Sequence, residues 1–236
     1  MTQMAILFLT VVHVGAGLLC LVLGPAAFIA PKGSQRHRRA GLLYLRLMLV
    51  MASSALLLLT MRFNTFFFVL AVFSFYLAFS GYRVLGRKRP DRDQQAKPLD
   101  WSVALLAMLV GIVSISLHLA GRLTGDSIFI FSMLGGTVAI ATYDLVRFIN
   151  PVNSSQPQQR YVWLFEHLSK MIGSYIAVVS AFSATVLGFI PEPARQLWPV
   201  ATGVPIMLSV ILSYRRKFRE NSAESFQPLR SRLPEG

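Results

Sequence analysis

Apolar positions fall into seven long blocks along this chain, each closed by charged or turn-forming residues. The blocks run Met4–Ala30, Ala40–Met61, Thr65–Gly86, Trp101–Leu123, Ser127–Ile149, Tyr161–Ile190 and Gln196–Phe218. A helix needs about 20 apolar residues to cross the hydrocarbon core of a bilayer, and every block is long enough. Water is absent from that core, so each segment must satisfy its own backbone hydrogen bonds, which helix does. The pattern predicts an all-α integral membrane bundle of seven transmembrane helices over residues 1–218. The longest polar interval between blocks, Arg87–Asp100, is loop-sized and leaves no room for a second domain. Beyond Phe218 the apolar periodicity stops and Pro228 and Pro234 appear, which predicts a disordered cytoplasmic tail over 219–236.

Within the blocks, small and polar residues recur at helical spacing. His13, Gly17, Cys20 and Gly24 share a face of the first span, and small residues there permit close helix approach. A face of the second runs from His37 through Gly41 and Tyr44 to Met48. The third is aromatic, the fourth carries Gly111, Ser114 and His118, and the seventh contains Pro199 and Pro205. The first block is too long for a signal-peptide core, and Met1-Thr2-Gln3 carries no positive charge, so a retained helix is expected.

The 236 residues are 54% hydrophobic and 14% charged, with a formal net charge of +13. In a soluble chain that charge would suggest nucleic acid; its placement here points elsewhere. Lys32, Arg36, Arg38 and Arg39 lie between spans one and two. Arg83, Arg87, Lys88, Arg89, Arg92 and Lys97 surround the link from three to four. Arg147 and Arg160 flank the link from five to six, and Arg215, Arg216, Lys217 and Arg219 end span seven. The alternate links carry only Arg62, Arg122 and Arg195. Lys and Arg gather on the cytoplasmic side of a membrane, so the N-terminus is expected outside and the C-terminus inside. The expected partners are the bilayer and, at the basic loops, anionic lipid headgroups. The single cysteine, Cys20, precludes a disulfide within the chain.

Ionisable groups inside a membrane are costly and face protein or water. All four histidines fall within or at the ends of spans. His13 and His118 lie toward the outer side, His37 and His167 toward the inner side, each on a different helix. Facing helices in a bundle can supply axial imidazoles to haem iron, and this layout suits one haem b per leaflet. It resembles that of two-haem b-type transmembrane cytochromes, although the histidines here lie on spans one, two, four and six. A second cluster sits at the depth of His37: Tyr143, Asp144 and Arg147 on span five, and Glu166, His167 and Lys170 on span six. The spacing predicts ion pairs within each helix, Asp144 with Arg147 and Glu166 with Lys170. It also suggests a divalent metal site built from His37, Asp144, Glu166 and His167, or a proton and quinone site. The sequence contains no HExxH, no glycine-rich phosphate loop and no Ser-His-Asp order.

Three stretches together resemble an uncharacterised family of bacterial multi-pass membrane proteins, a predicted membrane domain of unknown function. They are His13 through Gly24-Pro25, Lys32-Gly33 and His37-Arg38-Arg39-Ala40-Gly41-Leu42-Leu43-Tyr44; Leu99-Asp100-Trp101; and Glu166-His167-Leu168-Ser169-Lys170-Met171-Ile172-Gly173-Ser174-Tyr175-Ile176-Ala177. The resemblance covers most of the chain. It implies a bacterial inner-membrane protein, places His13, His37, Asp144 and His167 in family-like positions, and implies no activity. Three functional readings follow from the residues. The first is a redox or electron-transfer protein binding haem b or quinone. The second is a small-molecule transporter, with Pro199, Pro205 and Gly135-Gly136 as weak points in moving helices. The third is a metal-dependent membrane enzyme.

Overall fold

Seven α-helices form where the apolar blocks lie. A computed structural model describes residues 2–156, 159–191 and 194–224. The helices are α1 (Thr2–Ile29), α2 (Gln35–Met61), α3 (Thr65–Arg83), α4 (Pro98–Leu119), α5 (Ser127–Ile149), α6 (Val162–Val186) and α7 (Ala194–Glu224), with a 3-10 turn at Val84–Gly86. All seven are long and apolar enough to cross a membrane.

Capping shifts several ends from where hydropathy puts them. The Ser34 hydroxyl accepts the His37 N–H at 3.2 Å, so α2 begins at Gln35 and the basic run 36–39 is already helical. Asn64 and Asp126 cap α3 and α5 in the same way. At the far end of α4, Gly121 adopts φ +70° and ends the helix before Leu123. α7 continues to Glu224, past residue 219 where the disordered tail is expected to start; no glycine or proline intervenes between Pro205 and Pro228. Residues 225–236 of that tail lie outside the described residues.

The helices pack around α3 and α6, which lie against each other. α3 also touches α2, α4 and α5, and α6 also touches α1 and α7. Sequence neighbours pair as antiparallel hairpins, α1 with α2, α4 with α5 and α6 with α7. One apolar cluster, Cys20, Tyr44, Met48, Ala78 and Val178, joins α1, α2, α3 and α6. A second, Tyr76, Ala104, Ala107 and Ala141, joins α3, α4 and α5. Where α3 and α6 meet, Gly81 is needed: a Cβ there would lie 2.8 Å from the Lys170 Cβ.

The basic end of the bundle carries an ionic clamp. Asp100, buried at the start of α4, accepts from Arg83 Nε and Nη2 at 2.7 and 2.8 Å, and pairs with Arg87 Nη1 at 2.7 Å. Its Oδ2 also accepts the Lys97 N–H at 2.8 Å, which caps α4. One carboxylate thus fixes the α3–α4 link.

Two gaps remain among the described residues. α1 and α7 both pack on α6 but not on each other, leaving a groove of about 480 Å³. α5 and α7 likewise stand apart, leaving a cleft of about 1390 Å³ floored by α3 and α6.

Candidate functional site

His37 and His167 meet at the basic end of the groove. Their ring centroids are 6.4 Å apart with planes at 77°, and both line the same cavity. His37 Nδ1 lies 2.8 Å from the Ala27 carbonyl at the end of α1. His167 Nδ1 lies 2.9 Å from the Gly81 carbonyl of α3. A carbonyl only accepts, so each Nδ1 carries the proton, and in the neutral ring each Nε2 is left with a free lone pair. The Gly81 carbonyl is within reach because the bare glycine lets α6 come close.

The groove beside these rings is apolar and roomy. Gly24, Ala27, Gly41 and Gly203 line it, and a Cβ added at Gly41 would meet nothing within 4 Å. Lys32 and Arg38 stand at its basic mouth. Lys32 Nζ donates to the Phe28 carbonyl at 2.5 Å and lies 4.6 Å from the Phe28 ring centroid. Partial burial pulls the Lys32 ammonium below its ordinary pKa.

The other two histidines are placed differently. His13 Nδ1 reaches α2, at 3.0 Å from the Met51 carbonyl and 3.3 Å from Ser54 Oγ. His118 uses both ring nitrogens locally, Nδ1 on the Leu123 carbonyl at 2.7 Å and Nε2 on Ser127 Oγ at 2.9 Å. α1 and α4 do not touch, since they lie on opposite sides of the α3–α6 pair. The expected outer pair, His13 with His118, is therefore not brought together, whereas the inner pair is.

The acidic cluster also departs from its expected wiring. Asp144 pairs across to Lys170 on α6, not to Arg147, and its Oδ2 accepts the Tyr76 hydroxyl at 2.8 Å. Glu166 pairs back to Arg147 on α5 at 3.1 Å, not to Lys170, and accepts the Tyr143 hydroxyl at 2.7 Å. The two ion pairs run in opposite senses and bridge helices whose backbones do not pack. Asp144 and Glu166 line a cavity of about 220 Å³ at the basic end, together with Arg87 and Arg147. Lys170 and Glu166 line the large cleft. The crossed pairs therefore stand as a partition between the two spaces.

This arrangement separates the proposed metal ligands. His37 and His167 line the groove, while Asp144 and Glu166 are held by Lys170 and Arg147 away from it. Among the described residues, no group of three or more His, Cys, Asp and Glu is gathered for a metal ion.

Sequence reading passed over Gly81 and Ala27, took Tyr76 only as part of an aromatic span, and gave no role to Tyr44, whose hydroxyl meets Ser174 Oγ at 3.1 Å. The Tyr44 signal was present, at helical spacing on the His37 face. Compared with known protein families, with curated proteins and with solved structures, the chain matches none.

Proposed function

We propose that the protein is a membrane electron-transfer protein whose His37 and His167 hold haem b. One observation carries this reading: two imidazoles from different helices, each anchored through Nδ1–H to a backbone carbonyl, line one apolar cavity. Histidines that ligate metals characteristically donate their other N–H in this way, which fixes ring and tautomer. With both Nδ1 atoms engaged and ring centroids 6.4 Å apart, the Nε2 atoms of His37 and His167 would be the ones to hold the iron. The haem supplies one-electron transfer at its iron. The protein supplies the two nitrogens, the carbonyls that orient them and an apolar enclosure that raises the sensitivity of the potential to nearby charge. The Lys and Arg distribution supports a basic end and C-terminus in the cytoplasm, and the family resemblance supports a bacterial inner membrane.

A reduced-minus-oxidised absorbance scan of protein purified from haem-supplied cells tests this. Haem bands are expected in the wild type and in His118→Ala, and are expected to be lost in both His37→Ala and His167→Ala. A colourless wild type, or bands that survive both inner substitutions, would overturn the haem reading.

A second reading, a small-molecule transporter, draws on a different observation. The crossed Asp144–Lys170 and Glu166–Arg147 pairs separate a cavity at the basic end from a cleft that runs along the helices. Such a partition suits a gate.

A further inference from the structure

The cleft between α5 and α7 has one chemical asymmetry that its volume does not explain. On α7, Leu197, Val200, Val204, Met207 and Ile211 face it at helical spacing, and the same row ends at Arg215. From Leu197 to Arg215 the helix rises roughly 27 Å, close to the thickness of the hydrocarbon core, about 30 Å. Phe66, Leu70 and Phe73 of the floor and Met133 of the opposite wall are also apolar. The space is thus as long as an extended lipid chain and is open sideways, since α5 and α7 do not touch.

Among the described residues the charges at its basic end do not cancel. Lys170 is neutralised by Asp144 behind it, and Glu166 by Arg147. Arg215 is exposed, lies 5.2 Å from the Phe165 ring centroid, and pairs with no described carboxylate. A guanidinium with no carboxylate partner among the described residues, at the end of an apolar trough, suits an acidic head with a long chain behind it. A zwitterionic head would present it with a cation as well.

We propose that this cleft binds a long-chain amphiphile with an acidic head, the chain lying along the α7 row and the head at Arg215. Two sources share that chemistry, a free fatty acid and an anionic phospholipid. The site lies on the opposite face of α6 from His167 and stands independently of the haem reading.

Native mass spectrometry of the detergent-purified full chain tests it, with oleate, phosphatidylglycerol and phosphatidylcholine added in separate arms. The wild type is expected to retain one oleate or one phosphatidylglycerol in preference to phosphatidylcholine. Arg215→Gln should reduce that preference about fivefold, the effect of one basic residue on an anionic headgroup. Arg215→Lys and Arg216→Gln should keep it, and circular dichroism should show all variants equally helical. Retention of oleate alone identifies a free acid, and retention of phosphatidylglycerol alone identifies a lipid. Equal retention of phosphatidylcholine, or an unchanged preference in Arg215→Gln, would overturn the proposal.

Discussion

Asp144 is 2% exposed and satisfies two partners at once, the Lys170 ammonium and the Tyr76 hydroxyl. Removing one member of a buried ion pair leaves the other charged and unpaired, which destabilises by about 3–5 kcal/mol. Asp144→Asn should therefore lower stability by that order, measured by denaturant unfolding in detergent, because Lys170 is 5% exposed and has nowhere to turn. Asp144→Leu with Lys170→Met removes both charges and should recover most of the loss. A loss below about 1 kcal/mol for Asp144→Asn, as for exposed pairs, would show that the pair is reached by water. These partners were not legible in the sequence. Spacing along one helix pairs Asp144 with Arg147, but Arg147 is drawn off by Glu166 on the next helix. Tyr76 is 68 positions away, and only the packing of α3 against α5 brings it in.

The helices themselves were legible, because a bilayer demands long apolar segments and leaves few alternatives. Their ends were less so, since Ser34 and Gly121 act through hydrogen bonds and φ rather than hydropathy. The contacts between helices depend on single small residues that a hydropathy reading weighs lightly. Gly81 is one. Its missing side chain lets α6 approach, and its carbonyl receives His167 Nδ1–H. Gly81→Ala should force α3 and α6 apart at that point and lower stability by about 1–3 kcal/mol, the usual range for an overpacked contact. If haem is held as proposed, the same substitution should also shift its reduction potential, because the hydrogen bond that tunes His167 is stretched. A Gly81→Ala protein with unchanged melting temperature would mean that the helices slide to accommodate the methyl. His13 and His118 belong to this scale as well. Their depths were readable, but only the neighbour relations of α1 and α4 reveal that they cannot pair.

At the scale of the molecule, the odd number of spans and the Lys and Arg bias set two expectations. A reporter fused after Gly236 should register cytoplasm, and one placed in the Arg122–Asp126 link should register the exterior. The partition formed by the crossed ion pairs has its own test. Cys20 sits in an apolar cluster and can be replaced by alanine to give a cysteine-free background. Ser169→Cys then places a thiol on the cleft side of the partition. A charged maleimide added from the basic end should label it slowly, and faster once Glu166→Gln loosens the barrier; equal rates would mean that the two spaces already communicate. The arrangement of α7 has a further consequence. Among the described residues this helix packs on α6 and on no other helix, and it presents Trp198 and Thr202 to the groove and Leu197 and Val204 to the cleft. It forms a side of both chambers, so a tilt of the helix that widens one narrows the other. Occupants of the two chambers are then bound by reciprocity: whatever factor a cleft guest applies to affinity in the groove, a groove guest returns to the cleft.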